Sequence, residues 1–167
     1  MRFYGLALLA GAAVLGACGG GEKKADTTAA TATPAPTGAA PAPTGTAGTA
    51  TKIAATGADH EIKMVGDDKG YHFEPADITI KSGDAVTFVM VSGGPHNVAF
   101  DPATTPQAGQ AQLNANMDGK LADLSSPMLQ NPNEKYTISF GGVPPGVYPF
   151  HCTPHLAMNM KGTITVQ

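Results

Sequence analysis

The stretch FHCTPHLAMNMKG, residues 150–162, decides how this chain is to be interpreted, because it concentrates side chains that bind metal ions. These are His151, Cys152, His155, Met158 and Met160. Two imidazoles, one thiolate and one weak thioether suit copper in a trigonal site with a long axial bond. Zinc more often takes three or four strong ligands. The stretch alone leaves open which histidine and which methionine bind the metal.

A second imidazole has to come from elsewhere in the chain, and His96 is the best candidate. It lies in GGPHNVAFD, residues 93–101, just after the strand-like run at residues 86–91. A loop at that place can approach the C-terminal loop. His60 and His72 are far from the motif in sequence, and we interpret both as surface or edge residues.

Short runs rich in Val, Ile, Thr, Phe and Tyr dominate residues 59–167, and several of them alternate apolar and polar side chains. Such alternation is typical of β-strands, and turn-like sequences separate the runs. The pattern predicts an all-β sandwich of seven to eight strands, with a turn or two of helix within residues 108–124. The runs are EIKMV (61–65), DITIKSGDAVTFVMV (77–91), YTISF (136–140), VYPFHC (147–152) and GTITVQ (162–167).

The first eighteen residues, MRFYGLALLAGAAVLGAC, are typical of an export signal. Arg2 precedes an apolar run at residues 6–17 that is too short to span a bilayer as a stable helix. LGAC, residues 15–18, resembles the lipobox of bacterial lipoproteins. The resemblance implies a signal peptide at residues 1–17, cleavage before Cys18, lipidation of Cys18 and a periplasmic or cell-surface location on a membrane. The alternative is an ordinary signal peptide without a lipid anchor.

Residues 18–58 are nearly all Gly, Ala, Thr and Pro, with one Ile and no aromatic residue. Such a segment cannot bury enough apolar surface to offset the entropy of ordering, so we predict a disordered, flexible tether ahead of the domain. The formal net charge of −3 gives no support for nucleic-acid binding. With Cys18 assigned to the processing site, Cys152 is a single free thiol rather than half of a disulfide.

GPHNVAFD (94–101) and CTPHLAMNMKGTITV (152–166) together resemble the plastocyanin/amicyanin branch of the cupredoxins, the blue copper proteins. FEPADITIKSGDAVTF (73–88) and LSSPMLQNPNEKYTISFGGVPPGVYPFHC (124–152) resemble the flanking stretches, so the likeness covers nearly all of residues 59–167. It implies a cupredoxin-like Greek-key β-sandwich that holds one type 1 copper ion.

The resemblance also implies a role for five residues. His96 and His155 match the imidazole ligands, and Cys152 matches the thiolate ligand. Asn97 matches the residue that braces the two ligand loops. Pro95 matches the position whose carbonyl faces the copper opposite the methionine.

The axial methionine is chosen by the glycine that follows it. Met158 has the shorter amicyanin spacing from Cys152, whereas Met160 has the plastocyanin spacing. In both branches one residue and then a glycine separate the ligand from the last strand, and MKGTITV, residues 160–166, fits that pattern. We therefore predict Met160 as the fourth ligand. His151 precedes Cys152 by one position, so strand alternation turns it to the opposite face, and its role stays open.

These features favour a carrier of single electrons that cycles between Cu(I) and Cu(II). We expect membrane-associated or periplasmic redox proteins as partners, a monomer, and a membrane contact through the lipid anchor. The rim of His155, with Gly93, Gly94, Leu156 and Ala157 around it, is the expected exit for electrons. No general base or nucleophile pair is evident, which argues against an enzyme. The alternative functions are copper storage or delivery, and an adhesion domain without metal.

Overall fold

The computed structural model describes residues 50–167, in which two β-sheets pack face to face. One sheet has the strand order β2-β1-β4-β5 and the other has the order β3-β7-β6. Seven strands in two layers confirm the predicted sandwich. The elements are β1 (Asp59–Asp67), β2 (Gly70–Glu74), β3 (Asp77–Ile80), β4 (Ala85–Met90), α1 (Gln107–Asn116), β5 (Lys135–Ser139), β6 (Gly146–His151), a 3-10 turn (Leu156–Met158) and β7 (Lys161–Val166).

Side chains from alternate strand positions fill the space between the sheets. In β1, Ile62 and Met64 are fully buried whereas their neighbours are exposed or half-buried, and β7 alternates in the same way. Strand β4 is buried along its whole length because it lies between β1 and β5. On its outer face, the Thr87 hydroxyl donates to Asp59 and shares a hydrogen bond with Thr137.

Two elements differ in detail from the sequence prediction. Strand β2 lies outside the predicted runs; Phe73 is its one buried side chain. Helix α1 has ten residues, more than the predicted turn or two. Its last residue, Asn116, donates to the carbonyls of Ser139 and Gly141.

Within residues 50–167, no helix has the length and apolar character needed to cross a bilayer.

The packed chain begins earlier than the predicted boundary at residue 59. The N–H of Ile53 donates to Asn116, and the N–H groups of Thr56 and Gly57 both donate to the carbonyl of Gly83 at 2.9 Å. Residues 51–58 therefore form a strap that follows the sandwich, whereas their composition predicts a flexible tether. The strap is held because its backbone groups find partners on α1 and on the turn between β3 and β4.

The C-terminal residue reaches the same turn as the strap. The N–H of Ser82 donates to the carbonyl of Gln167 at 3.0 Å, one residue away from the carbonyl that receives the strap. Residues 56–57 of the strap and Gln167 thus meet at the start of β4.

The opposite end of β4 leads into the loop that carries His96. Beyond this loop, Ala99 pairs with His151 at the end of β6 through two backbone hydrogen bonds of 2.9 Å. The pairing is antiparallel, so it aligns the residues just before Ala99 with those just after His151. This alignment brings the His96 loop against the loop that begins at Cys152.

A single carboxylate, that of Asp84, fastens the strap to the turn between β3 and β4. Asp84 accepts hydrogen bonds from the N–H groups of Lys81 and Ala58 and from the His60 ring, each at 2.9 Å. The Lys81 N–H, followed by the His60 ring, lowers the pKa of Asp84 below its ordinary value. His60 is thus a half-exposed partner of this carboxylate, and His72 lies on the edge strand β2.

We expect Asp84→Asn to lower the free energy of unfolding at neutral pH and to flatten its decline in acid. A carboxylate whose folded-state pKa is lowered stabilises the fold above its unfolded pKa of about 4, and this contribution is lost as the pH falls through the folded value. Urea unfolding at about pH 7 and about pH 3 measures both effects. Asp77→Asn, an exposed aspartate, is the matched control. An unchanged acid slope in Asp84→Asn would contradict the assignment.

Candidate metal centre

Three of the predicted ligands lie together at one end of the sandwich. His96 follows β4, Cys152 follows β6 directly, and His155 precedes the 3-10 turn. Their ligand atoms lie within 4.8 Å of one another, and all three residues are buried. No other group of three such side chains within 4.8 Å occurs in residues 50–167.

The three donor atoms form a nearly equilateral triangle. The Cys152 Sγ lies 3.6 Å from the His96 Nδ1 and 3.4 Å from the His155 Nδ1, and the two nitrogens are 3.1 Å apart. A point equidistant from the three atoms lies about 2.0 Å from each, close to ordinary metal–nitrogen and metal–sulfur bond lengths. A trigonal set of two imidazoles and a thiolate is the donor chemistry that copper takes. The residues therefore fit a copper ion.

The orientation of the His96 ring is fixed by its outer nitrogen. Its Nε2–H donates to the carbonyl of Ser92 at 2.8 Å, which leaves the lone pair of Nδ1 directed at the other two donor atoms. Neutral imidazole in this tautomer is ready to bind a metal ion without a change of ring position.

Burial sets the protonation of the triad. Desolvation lowers the pKa of His96, and it lowers the pKa of His155 with a smaller contribution from the neighbouring His96. Desolvation also raises the pKa of the Cys152 thiol, partly offset by the backbone N–H groups of Asn97 and His155 directed at the sulfur. These shifts favour neutral imidazoles and a protonated thiol, whose proton a bound cation would replace.

Asn97 joins the two ligand loops, as the resemblance implies for this position. Its Oδ1 accepts the N–H of Thr153 at 2.7 Å, and its Nδ2 donates to the hydroxyls of Thr153 and Ser125 at 3.2 and 3.1 Å. The side chain is fully buried, so these hydrogen bonds are shielded from water. Thr153 and Ser125 are site residues that sequence reasoning missed. Pro95 precedes His96 and is exposed, and the contact of its carbonyl with copper stays a prediction.

The two methionines of the C-terminal loop differ in burial. Met160 is completely buried, whereas Met158 lies on the 3-10 turn with 51% of its surface exposed. The backbone of Met160 is hydrogen-bonded to two residues of the triad: its N–H donates to the carbonyl of His155, and its carbonyl accepts the N–H of Cys152. This placement supports Met160 over Met158 as the fourth ligand.

The position two residues after Met160 has room only for a glycine. A Cβ at Gly162 would lie 2.2 Å from the carbonyl oxygen of Ala76 and 2.5 Å from the Phe150 ring. Neither neighbour is a flexible chain end, so a larger residue would push β7 away from β6.

His151 lies outside the triad and lines a separate surface cavity of about 410 Å³ with Asp101 and Lys161. Burial lowers the pKa of its ring, with Asp101 opposing the shift and Lys161 adding to it. Its backbone pairs with Ala99, but its side chain takes no part in the cluster of donor atoms.

Tyr71, on strand β2, is a further residue of the site that sequence reasoning missed. Its ring stacks on the His155 ring with 3.8 Å between centroids and 11° between planes. An aromatic residue beside Gly70 was the only signal, and it gives no indication of which loop the ring would meet.

Comparison with known proteins agrees with this geometry. Residues 60–167 match the model of one protein family, which is described as "copper binding proteins, plastocyanin/azurin family". The chain is 37% identical to plastocyanin of Scenedesmus fuscus over 109 residues, which cover 65% of this chain and 100% of that one. It is 39% identical to plastocyanin of Nostoc punctiforme over 116 residues, 68% of this chain and 78% of that one. It is 41% identical to the chloroplastic plastocyanin of Physcomitrium patens over 105 residues, 63% of this chain and 56% of that one. The chain therefore belongs to the plastocyanin/azurin family of copper-binding proteins.

Proposed function

We propose that this protein carries single electrons between redox proteins by means of one copper ion, held by His96, Cys152, His155 and Met160. The observation that carries the proposal is the preformed triangle of donor atoms, with sides of 3.1–3.6 Å. When bound there, copper supplies a one-electron Cu(I)/Cu(II) couple. Because the donor atoms are already in place, neither oxidation state requires the loops to move.

The surrounding residues hold this geometry and tune it. Asn97 ties the two loops together, and the Ser92 carbonyl holds the ring of His96. The N–H groups directed at the Cys152 sulfur stabilise negative charge on it, which shifts the balance between the oxidation states. Burial of the triad excludes water that would otherwise rearrange with each change of charge.

The surface beside His155 suits a brief contact with a partner. His155 itself is 7% exposed, and Leu156, 41% exposed, and Met158 project next to it. Residues 91–97 and 152–160 contain no Lys, Arg, Asp or Glu. The two loops thus present a small apolar surface, and small interfaces are typical of transient contacts between redox proteins. It would lie within one residue of a copper ligand.

Neither catalysis nor copper storage accounts for the site as well. A fourth ligand at Met160 would leave no open position for a substrate, which catalytic metal sites keep. Residues 50–167 contain one group of three such ligand side chains, and the buried methionines other than Met160 are dispersed through the core. These residues therefore show no second group that would store copper. Delivery of copper would require the ion to leave a buried site braced on several sides.

We further infer that the protein is an exported lipoprotein. Residues 1–17 are proposed as the signal peptide, Cys18 as the lipidated residue, and the chain from Cys18 to the strap as the tether, all outside the described residues apart from the strap. The lipobox-like LGAC after a short apolar run supports this proposal. A monomer on the periplasmic or cell-surface side of a membrane would meet its redox partners there.

We expect the full-length protein loaded with Cu(II) to be intensely blue, with the narrow copper hyperfine splitting that a thiolate ligand produces. Reduction and reoxidation should restore the colour repeatedly, without loss of copper to a chelator. Absorption, electron paramagnetic resonance and voltammetry measure these properties, and Cys152→Ser is the control that should be colourless. A colourless adduct, or copper lost at each reduction, would instead favour storage or delivery.

We expect Met160→Leu to raise the reduction potential by at least about 60 mV, which is a tenfold change in the ratio of Cu(II) to Cu(I) affinity for a one-electron couple. Loss of the weak axial donor destabilises the more highly charged Cu(II). Met158→Leu is the matched control and should leave the potential unchanged. A shift in the Met158 variant, with none in the Met160 variant, would reverse the ligand assignment.

We expect Cys18→Ser to lose the mass of the diacylglycerol adduct when it is expressed in a bacterium with its own signal sequence. Without the thiol no diacylglycerol can be attached, and no other anchor is proposed. Fractionation and intact mass measurement of the membrane-bound form check the result. A membrane-bound unchanged protein without the diacylglycerol mass would contradict lipidation as the anchor.

A further inference from the structure

The hairpin of β1 and β2 contacts both histidines of the triad. Tyr71 lies face to face with His155 at 3.8 Å, and the same ring meets His96 edge-on with 6.1 Å between centroids and 66° between planes. Stacked and edge-on aromatic contacts attract each other beyond the gain from burial. Rotation or displacement of the His155 ring would break the stacked contact.

The same hairpin also holds the loop that positions His96. The N–H of Gly66, at the end of β1, donates to the carbonyl of Ser92 at 2.9 Å, and the Ser92 hydroxyl donates back to the carbonyl of Gly66 at 2.9 Å. The Ser92 carbonyl also accepts the Nε2–H of His96. The hairpin therefore restrains both imidazoles. It holds the Ser92 carbonyl that binds the His96 ring, and it carries the Tyr71 ring that stacks on His155.

The approach of Tyr71 depends on two glycines that touch each other. A Cβ at Gly66 would lie 2.8 Å from the Cα of Gly93 and 2.9 Å from the Tyr71 ring, and a Cβ at Gly93 would lie 2.6 Å from the Cα of Gly66. Gly93 also has a φ of +74°, which favours glycine. A side chain at either position would move the hairpin away from the His96 loop.

We propose that Tyr71 is a positioning residue of the copper centre, whose ring restrains His155 in its metal-binding orientation before copper binds and in both oxidation states. The inference rests on the proposed function and deepens it. A ligand whose freedom is already restricted loses less entropy on binding the metal. The ring of Tyr71 supplies the contact, because it lies nearly parallel to the His155 ring.

The first test uses the full-length, copper-free protein and observes the His155 ring by NMR. We expect sharp ring resonances in the unchanged protein and in Tyr71→Phe, which keeps the stacked ring. Tyr71→Leu should broaden or average the His155 resonances. Gly66→Ala, which retains Tyr71 but displaces the hairpin, should act in the same direction.

Phe73→Leu is the matched control, because it removes an aromatic ring from the same strand. Phe73 packs on Phe88 and Phe150 rather than on a histidine. It should lower stability and leave the His155 resonances sharp. An equal effect of Phe73→Leu and Tyr71→Leu on His155 would show general loosening of the fold and would overturn the proposal.

The second test measures Cu(I) affinity by competition with a chelator. We expect Tyr71→Leu to bind about 3- to 10-fold more weakly, the range that an aromatic pair supplies, and Tyr71→Phe to bind as the unchanged protein does. Indistinguishable Phe and Leu variants would overturn the positioning role. A protein that binds copper but does not cycle would refute electron transfer alone, since the NMR result is obtained without metal.

Discussion

The short antiparallel contact between Ala99 and His151 is the constraint on which the metal centre depends. His96 and Cys152 are 56 residues apart in the chain, and two backbone hydrogen bonds of 2.9 Å fix the alignment of the segments that carry them. A shift by one residue would turn every side chain of one segment to its opposite face. Asn97 and Thr153 are partners in this alignment, so the side-chain brace and the backbone pairing enforce the same geometry.

The buried surroundings of the triad disfavour electric charge on its three side chains. Burial keeps both imidazoles neutral by lowering their pKa values, and it raises the pKa of the Cys152 thiol. A metal ion is the group that makes a buried thiolate acceptable, because its charge replaces that of the proton. The apolar surroundings that stabilise the sandwich therefore also favour a bound cation beside the thiolate.

Sequence reasoning was most successful where a local pattern determines the structure. Alternation of apolar side chains predicted the sandwich. The resemblance singled out Met160 through the glycine at position 162, and Met160 is the buried one of the two methionines in this loop. It failed where long-range register decides. Strand β2, the Tyr71 ring on His155 and the strap at residues 51–58 depend on partners far away in the chain. The boundary at residue 59 reflects composition, whereas the strap is held by hydrogen bonds that composition cannot indicate.

The meeting of the strap and Gln167 at the turn between β3 and β4 has a further consequence. Strand β4 has six residues and separates that turn from the His96 loop by about 17 Å. Domains with neighbouring chain ends tolerate insertion into a host protein. If the domain were inserted into a surface loop of an enzyme through the strap and Gln167, its triad would lie at the end that faces away from the host. The domain would then carry electrons from that enzyme to an electrode.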